Sequence, residues 1–121
     1  MDKFKIGKLG EKIAGRFMEN KKYQIVANNF KVRGGEIDLV CRQGSLLVFV
    51  EVKTRTGLAF GYPEESFDWR KRKKLLFAIK RYLLKTGYQG GWRVDLLAIE
   101  LHQREKSAKI RHYQGVGLED Y

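Results

Sequence analysis

The sequence predicts an α/β domain with the element order α-β-β-β-α-β-β, and three observations carry that expectation. Apolar residues recur at helical spacing in two basic stretches, near residues 7–20 and 63–85. Between and after them lie runs rich in β-branched and aromatic residues, bounded by glycine or polar turns. Finally, 121 residues with 43% hydrophobic content suit one globular domain, residues 1–121, with a modest core and no room for a second.

In the first helix Ile6, Leu9, Ile13, Ala14 and Phe17 make the apolar stripe, while Lys8, Lys12, Arg16 and Glu19 lie elsewhere on the wheel. "YQIVANNFKV" at 23–32 reads as the first strand, followed by strands at 36–42 and 46–54 around Gly44, a three-stranded meander. Pro63, the only proline, marks the next boundary. From there to Lys85 the period is helical, with Leu75, Leu76, Ile79, Tyr82 and Leu83 on one side and Gly87 as a stop. "WRVDLLAIEL" and "KIRHY" read as two last strands joined by the polar "HQREKSA".

Charge narrows the partners. Twenty-five Lys and Arg against 14 Asp and Glu leave a formal charge of +11, which favours nucleic acid over an acidic small molecule, with an anionic membrane surface the weaker alternative. A single cysteine, Cys41, excludes an internal disulfide framework. The N-terminal "MDKFKIGKLGEK" lacks the apolar core of a signal peptide, so a cytoplasmic location is expected. No apolar run approaches the roughly 18 residues needed to cross a bilayer, so no membrane partner is expected.

Chemistry concentrates in "GGEIDLVCRQGSLLVFVEVKTR", where Glu36, Asp38, Glu51 and Lys53 interrupt two otherwise apolar strands. A two-residue turn at Gly44-Ser45 sets Asp38 opposite Glu51 and Glu36 opposite Lys53; a turn at Gln43-Gly44 sets Asp38 opposite Phe49. Either register puts all four charged residues on one face if the alternation is unbroken. Val48, Val50 and Val52 take the other face of the partner strand. Two carboxylates brought within about 5 Å repel, and partial burial raises the cost unless a cation or hydrogen-bond donors compensate. Hard oxygen ligands of this kind suit Mg²⁺ or Mn²⁺. On spacing alone, that metal site stands level with plain cross-strand ion pairs, Glu36 with Lys53 and the other acids with nearby arginines.

Asp38, twelve intervening residues, then Glu51-Val52-Lys53 resembles the signature of the restriction-endonuclease-like, or PD-(D/E)XK, nuclease superfamily. The longer runs "GEIDLV" and "VFVEVKTR", with "GKLGEKIA" before and "WRVDLLAIE" after, resemble the YraN-type family of small uncharacterised proteins, from about residue 7 to about residue 101. The resemblance implies that superfamily's core, a central mixed five-stranded sheet flanked by helices. It extends to archaeal Holliday-junction resolvases, in which a helical glutamate joins an aspartate, a glutamate and a lysine around the metal. Glu11 matches that helical position, at the edge of the apolar face beside Gly7, Ala14 and Gly15, whose small side chains would let Glu11 approach the sheet. The bland reading of Glu11 is a solvated carboxylate near a helix N-terminus. Ile37 stands where the superfamily name places proline. Junction resolvases commonly act as dimers, which brings a homodimer into consideration, although no self-complementary surface is legible.

In "WRKRKKLLFAIKRYLLK" the cations Arg70, Lys74, Arg81 and Lys85 fall on one side, with Phe77 near them, while Leu75, Ile79 and Leu83 fall on the other. Such a face is usually just solvated; with +11 on the chain it suits phosphate contacts, and Phe77 suits stacking on a splayed base. Arg33, Arg55, Arg70, Lys71, Lys74 and Arg81 are the nucleic-acid-binding candidates. "KTRTGLAFGYPEES" reads as a strand-to-helix connection able to clamp substrate, and Glu64 and Glu65 as first-turn helix acids. Scattered His102, His112 and Cys41 lack paired ligand spacing, so no zinc is expected, and Asp95 suits an ion pair with a neighbouring arginine.

These readings converge on a metal-dependent endonuclease hydrolysing phosphodiester bonds in DNA, before RNA, with branched and single-stranded forms among its candidate substrates. Asp38 and Glu51, supported by Glu11, would hold Mg²⁺ or Mn²⁺, Lys53 would orient the attacking water, and Glu36 would position Lys53. The alternative is a non-catalytic nucleic-acid-binding protein that retains the fold.

Overall fold

A computed structural model describes residues 2–118. The elements run α1 (Lys3–Asn20), β1 (Gln24–Val32), β2 (Gly35–Gln43), β3 (Leu46–Thr56), a single 3₁₀ turn (Pro63–Ser66), α2 (Trp69–Thr86), β4 (Trp92–His102) and β5 (Ser107–Tyr113). The order is the α-β-β-β-α-β-β expected from periodicity, and the strands form one mixed five-stranded sheet in the order β1-β2-β3-β4-β5. All neighbours are antiparallel except β3 and β4, which run parallel with α2 as their crossover.

The helices cover opposite faces. Under α2, its Leu75, Ala78, Ile79 and Tyr82 pack on Ile37, Val40, Leu47, Phe49, Val94 and Leu96. Under α1, Ala14 and Met18 pack on Leu39, Cys41, Val48, Val50, Leu97 and Ile99. Strands β3 and β4 are covered on both sides, which is why they read as nearly continuous apolar runs. Among the described residues no helix is long and apolar enough to cross a membrane.

The helix boundaries differ from expectation where capping outweighs apolar periodicity. Asp2 starts α1 four residues early, its side chain accepting the Lys5 backbone N–H at 2.9 Å. The stretch from Pro63 to Lys85 is two elements, because Asp68 is extended and its carboxylate accepts the Lys71 N–H at 3.1 Å, restarting the helix at Trp69. Glu65 belongs to the 3₁₀ turn, where its carboxylate accepts the Tyr62 N–H at 2.6 Å.

Close approach of helix to sheet depends on two glycines. A Cβ on Gly10 would lie 1.9 Å from Thr54 Oγ1, so this residue, rather than Gly7 or Gly15, seats α1 on β3. A Cβ on Gly35 would lie 2.5 Å from the Lys74 carbonyl oxygen, so Gly35 lets α2 pass directly over the start of β2.

Candidate active site

The β2–β3 hairpin turns at Gly44-Ser45, with Gly44 at φ 61°, and its pairing runs from Gln43–Leu46 out to Leu39–Val50. That is the register which sets Asp38 level with Glu51. The regular ladder ends there: instead of a backbone partner, Val52 N–H donates to Asp38 Oδ2 at 2.8 Å.

Alternation also breaks at this point. Ile37 and Val40 both join the core under α2, whereas Leu39 and Cys41 join the core under α1. Opposite, on β1, Asn29 adopts φ 50°, a left-handed conformation that asparagine tolerates better than most residues, between the pairs Asn28–Leu39 and Phe30–Ile37. The unbroken single face expected for Glu36, Asp38, Glu51 and Lys53 is therefore corrected. Beyond the irregularity Glu36 is exposed and pairs with Lys31 across β1 at 3.6 Å, so it does not serve as the partner of Lys53.

Asp38 and Glu51 are each 8% exposed. Lys53 Nζ lies 3.3 Å from Glu51 Oε2. Burial, and next the Glu51 charge, hold Asp38 well above the ordinary carboxylate range, against the opposing Val52 N–H. Burial also raises Glu51, while Lys53, a hydrogen bond with Asp38 and the Lys71 charge oppose it. The charge of each carboxyl thus bears on the other, and the buried pair resists carrying two charges.

Glu11 is half-buried; its carboxyl is raised by burial and then by Asp38, with Asn29 hydrogen-bonding to the charged form. It lines two grooves. One, of about 500 Å³, runs between α1 and β1–β2 and includes Asn29 and Asp38. The other, of about 490 Å³, includes Lys53, Arg55, Phe60 and Lys71. Among the described residues no group of three His, Cys, Asp or Glu side chains converges to hold a metal ion. The donor set that fits a cation is the two-carboxylate pair Asp38 and Glu51, since Mg²⁺ is commonly held by one or two carboxylates and completes its shell with water and phosphate oxygens.

The six basic candidates divide by position. Arg55, on β3, and Lys71, on α2, line the groove with Lys53. Arg33 is exposed in the β1–β2 turn, and Arg70, Lys74 and Arg81 are exposed on α2. Among the described residues none of the six forms an ion pair. Phe60, 89% exposed, stands at the groove in the connection after β3.

Two buried networks away from this pair absorb other polar residues. Asp95 is fully buried and bound by Arg93 at 2.8 Å, as expected, and also by His112 Nε2 at 2.7 Å and the Gly115 N–H at 3.2 Å. Arg111 joins Glu64 to Glu100 and so ties the 3₁₀ turn to β4, which gives Glu64 a tertiary role that its position after Pro63 did not disclose. Cys41 is buried and its thiol is pushed up to about 12 by desolvation, which disfavours a nucleophilic thiolate.

Comparison with known proteins places this sequence in a family. The model of the uncharacterised protein family UPF0102 matches residues 10–99, a span containing Glu11, Asp38, Glu51 and Lys53. The chain belongs to the UPF0102 family. A UPF0102 protein of Beutenbergia cavernae is 41% identical over 113 residues, covering 93% of this chain and 95% of that protein. A UPF0102 protein of Carboxydothermus hydrogenoformans is 37% identical over 117 residues, 96% of this chain and 98% of its own length. One of Herpetosiphon aurantiacus is 32% identical over 98% of both chains. The family model ends before β5, while the similarity to the Herpetosiphon aurantiacus protein runs over nearly the whole chain; both agree with the YraN-type family resemblance read from the motifs.

Proposed function

We propose that this UPF0102 protein is a divalent-cation-dependent nuclease that hydrolyses phosphodiester bonds in nucleic acid, DNA before RNA, in the cytoplasm. The observation that carries the reading is the buried pair Asp38 and Glu51, level with one another at the end of the β2–β3 ladder, with Lys53 3.3 Å from Glu51 on a groove also lined by Arg55 and Lys71. A buried carboxylate pair costs stability unless it is neutralised, and Asp38, perturbed and lining the groove between α1 and β1–β2, is the kind of group at which function concentrates. Asp38 and Glu51 would hold Mg²⁺ or Mn²⁺, which when bound supplies charge compensation and lowers the pKa of water. The Val52 N–H fixes the orientation of Asp38. Lys53 donates to the attacking water or to a non-bridging phosphate oxygen as negative charge develops there, and Lys71 and Arg55 hold the flanking phosphates. Attack of water on phosphorus breaks one P–O ester bond and leaves a phosphate monoester and a hydroxyl. Glu11, outside the pair, serves as a supporting acceptor at the junction of the two grooves.

One observation favours a second reading: no third acidic ligand converges on the pair among the described residues. The protein would then bind nucleic acid without turnover. Titrating Mg²⁺ or Mn²⁺ into the protein with branched, single-stranded and duplex DNA, and with RNA, separates the two. Cation-dependent cleavage of any of them supports the nuclease; salt-sensitive binding with every substrate intact supports the binding module.

A further inference from the structure

The exposed face of α2 carries a pattern that hydrolysis does not use. Its eighteen residues contain eight Lys and Arg and no Asp or Glu. An ordinary solvated helix mixes signs and gains from acid–base pairs four residues apart; a helix of one sign forgoes them and repels itself. Steps of four along this face read Trp69, Lys73, Phe77, Arg81, Lys85, and all five are exposed.

The aromatic and basic groups are in register with one another. Lys73 Nζ lies 5.7 Å from the Trp69 ring centre, Arg81 6.0 Å from Phe77, and Lys85 5.6 Å from Phe30 of β1. Trp69 is 52% and Phe77 45% exposed, so each ring keeps surface open although a full core lies on the other side of the helix. Eight residues of helix separate them by about 12 Å, enough for each to take a separate base. Phe77 rests over Gly34 in the β1–β2 turn, next to Arg33.

We infer that this face of α2 is a binding track for single-stranded nucleic acid, in which Trp69 and Phe77 stack on unpaired bases and Lys73, Arg81 and Lys85 take the intervening phosphates. Duplex is the poorer occupant, because its bases already stack on each other and would leave both rings exposed with only the cations engaged. The inference deepens the nuclease reading by naming unpaired strand as the substrate feature recognised. It does not depend on cleavage, since the Asp38–Glu51 pair lies outside the track.

The test is fluorescence anisotropy in EDTA with a labelled oligo(dT) of about 16 nucleotides and a duplex of equal length. The wild-type protein should bind the oligo(dT) more tightly. The double variant Trp69→Leu, Phe77→Leu should lose on the order of 10- to 100-fold for oligo(dT) and little for duplex. Trp69→Phe alone, which keeps a stacking ring, should stay near wild type, and Arg81→Ala should weaken both probes and flatten the salt dependence. Equal or tighter duplex binding by wild type, or undiminished oligo(dT) binding by the folded double variant, overturns the inference. Failure here leaves hydrolysis at Asp38 and Glu51 standing, and absence of hydrolysis leaves this binding result unchanged.

Discussion

Asp38 Oδ2 accepts the Val52 N–H at 2.8 Å, one step beyond the last regular β2–β3 pair, Leu39–Val50. A side chain has replaced a strand's backbone, and the carboxylate it fixes lies against Glu51 with almost no access to water.

That placement has a stability consequence with a definite sign. The folded state holds the Asp38 carboxyl well above its unfolded range, so the native protein binds more protons and stability falls as pH rises from the unfolded value of about 4 toward the higher native one. Asp38→Asn keeps an acceptor for Val52 and removes the charge. In EDTA at pH 8 it should raise the melting temperature by on the order of 4 °C or more, with the gain shrinking toward pH 5. Added Mg²⁺ should raise the melting temperature of the wild type and not of the variant. Calorimetric scans at the two pH values check both expectations.

The glycines of α1 make a contrast. Gly10→Ala would drive a Cβ into Thr54 and should cost about 1–3 kcal/mol, whereas Gly7→Ala and Gly15→Ala meet nothing within 4 Å and should each stabilise by about 0.5–1 kcal/mol through helix propensity. Urea denaturation of the three variants resolves the difference.

Glu64 carries the opposite pH dependence. Hydrogen bonds from Arg111 hold its carboxyl down at about 2, so its contribution is fully present above about pH 4.5 and is lost as pH falls through 2. Glu64→Gln should therefore destabilise by about 1–2 kcal/mol at pH 7, with the difference closing in acid. Equilibrium unfolding across that range measures it.

Lys53 separates chemistry from binding. Lys53→Ala should lower cleavage by on the order of 10²- to 10³-fold while oligonucleotide affinity changes little, because the track on α2 is untouched. Parallel single-turnover cleavage and anisotropy measurements check the split.

Much of this was legible in sequence. Element order followed from periodicity, and the register of Asp38 with Glu51 was one of the two that the turn residues around Gly44 allowed, the structure deciding for Gly44-Ser45. The fate of Glu36 did not, because Asn29 and Asp38 disrupt alternation at the same level of two adjacent strands, and polar residues in a strand give no sign of which will leave the ladder. Residues around Glu11 showed small side chains on one helix, but only the packed structure distinguishes Gly10, against Thr54, from Gly7 and Gly15. The pairing of Glu64 with Arg111 joins residues 47 positions apart, and no local pattern encodes it.

The most direct measurement is cleavage of end-labelled DNA, single-stranded and branched, by wild type and Asp38→Asn side by side in Mg²⁺ and in EDTA. Cleavage by wild type in Mg²⁺ only, with none by Asp38→Asn even though it folds and binds, is the expected result. Equal cleavage by the two proteins, or cleavage that persists in EDTA, would contradict a hydrolytic site built on Asp38 and Glu51.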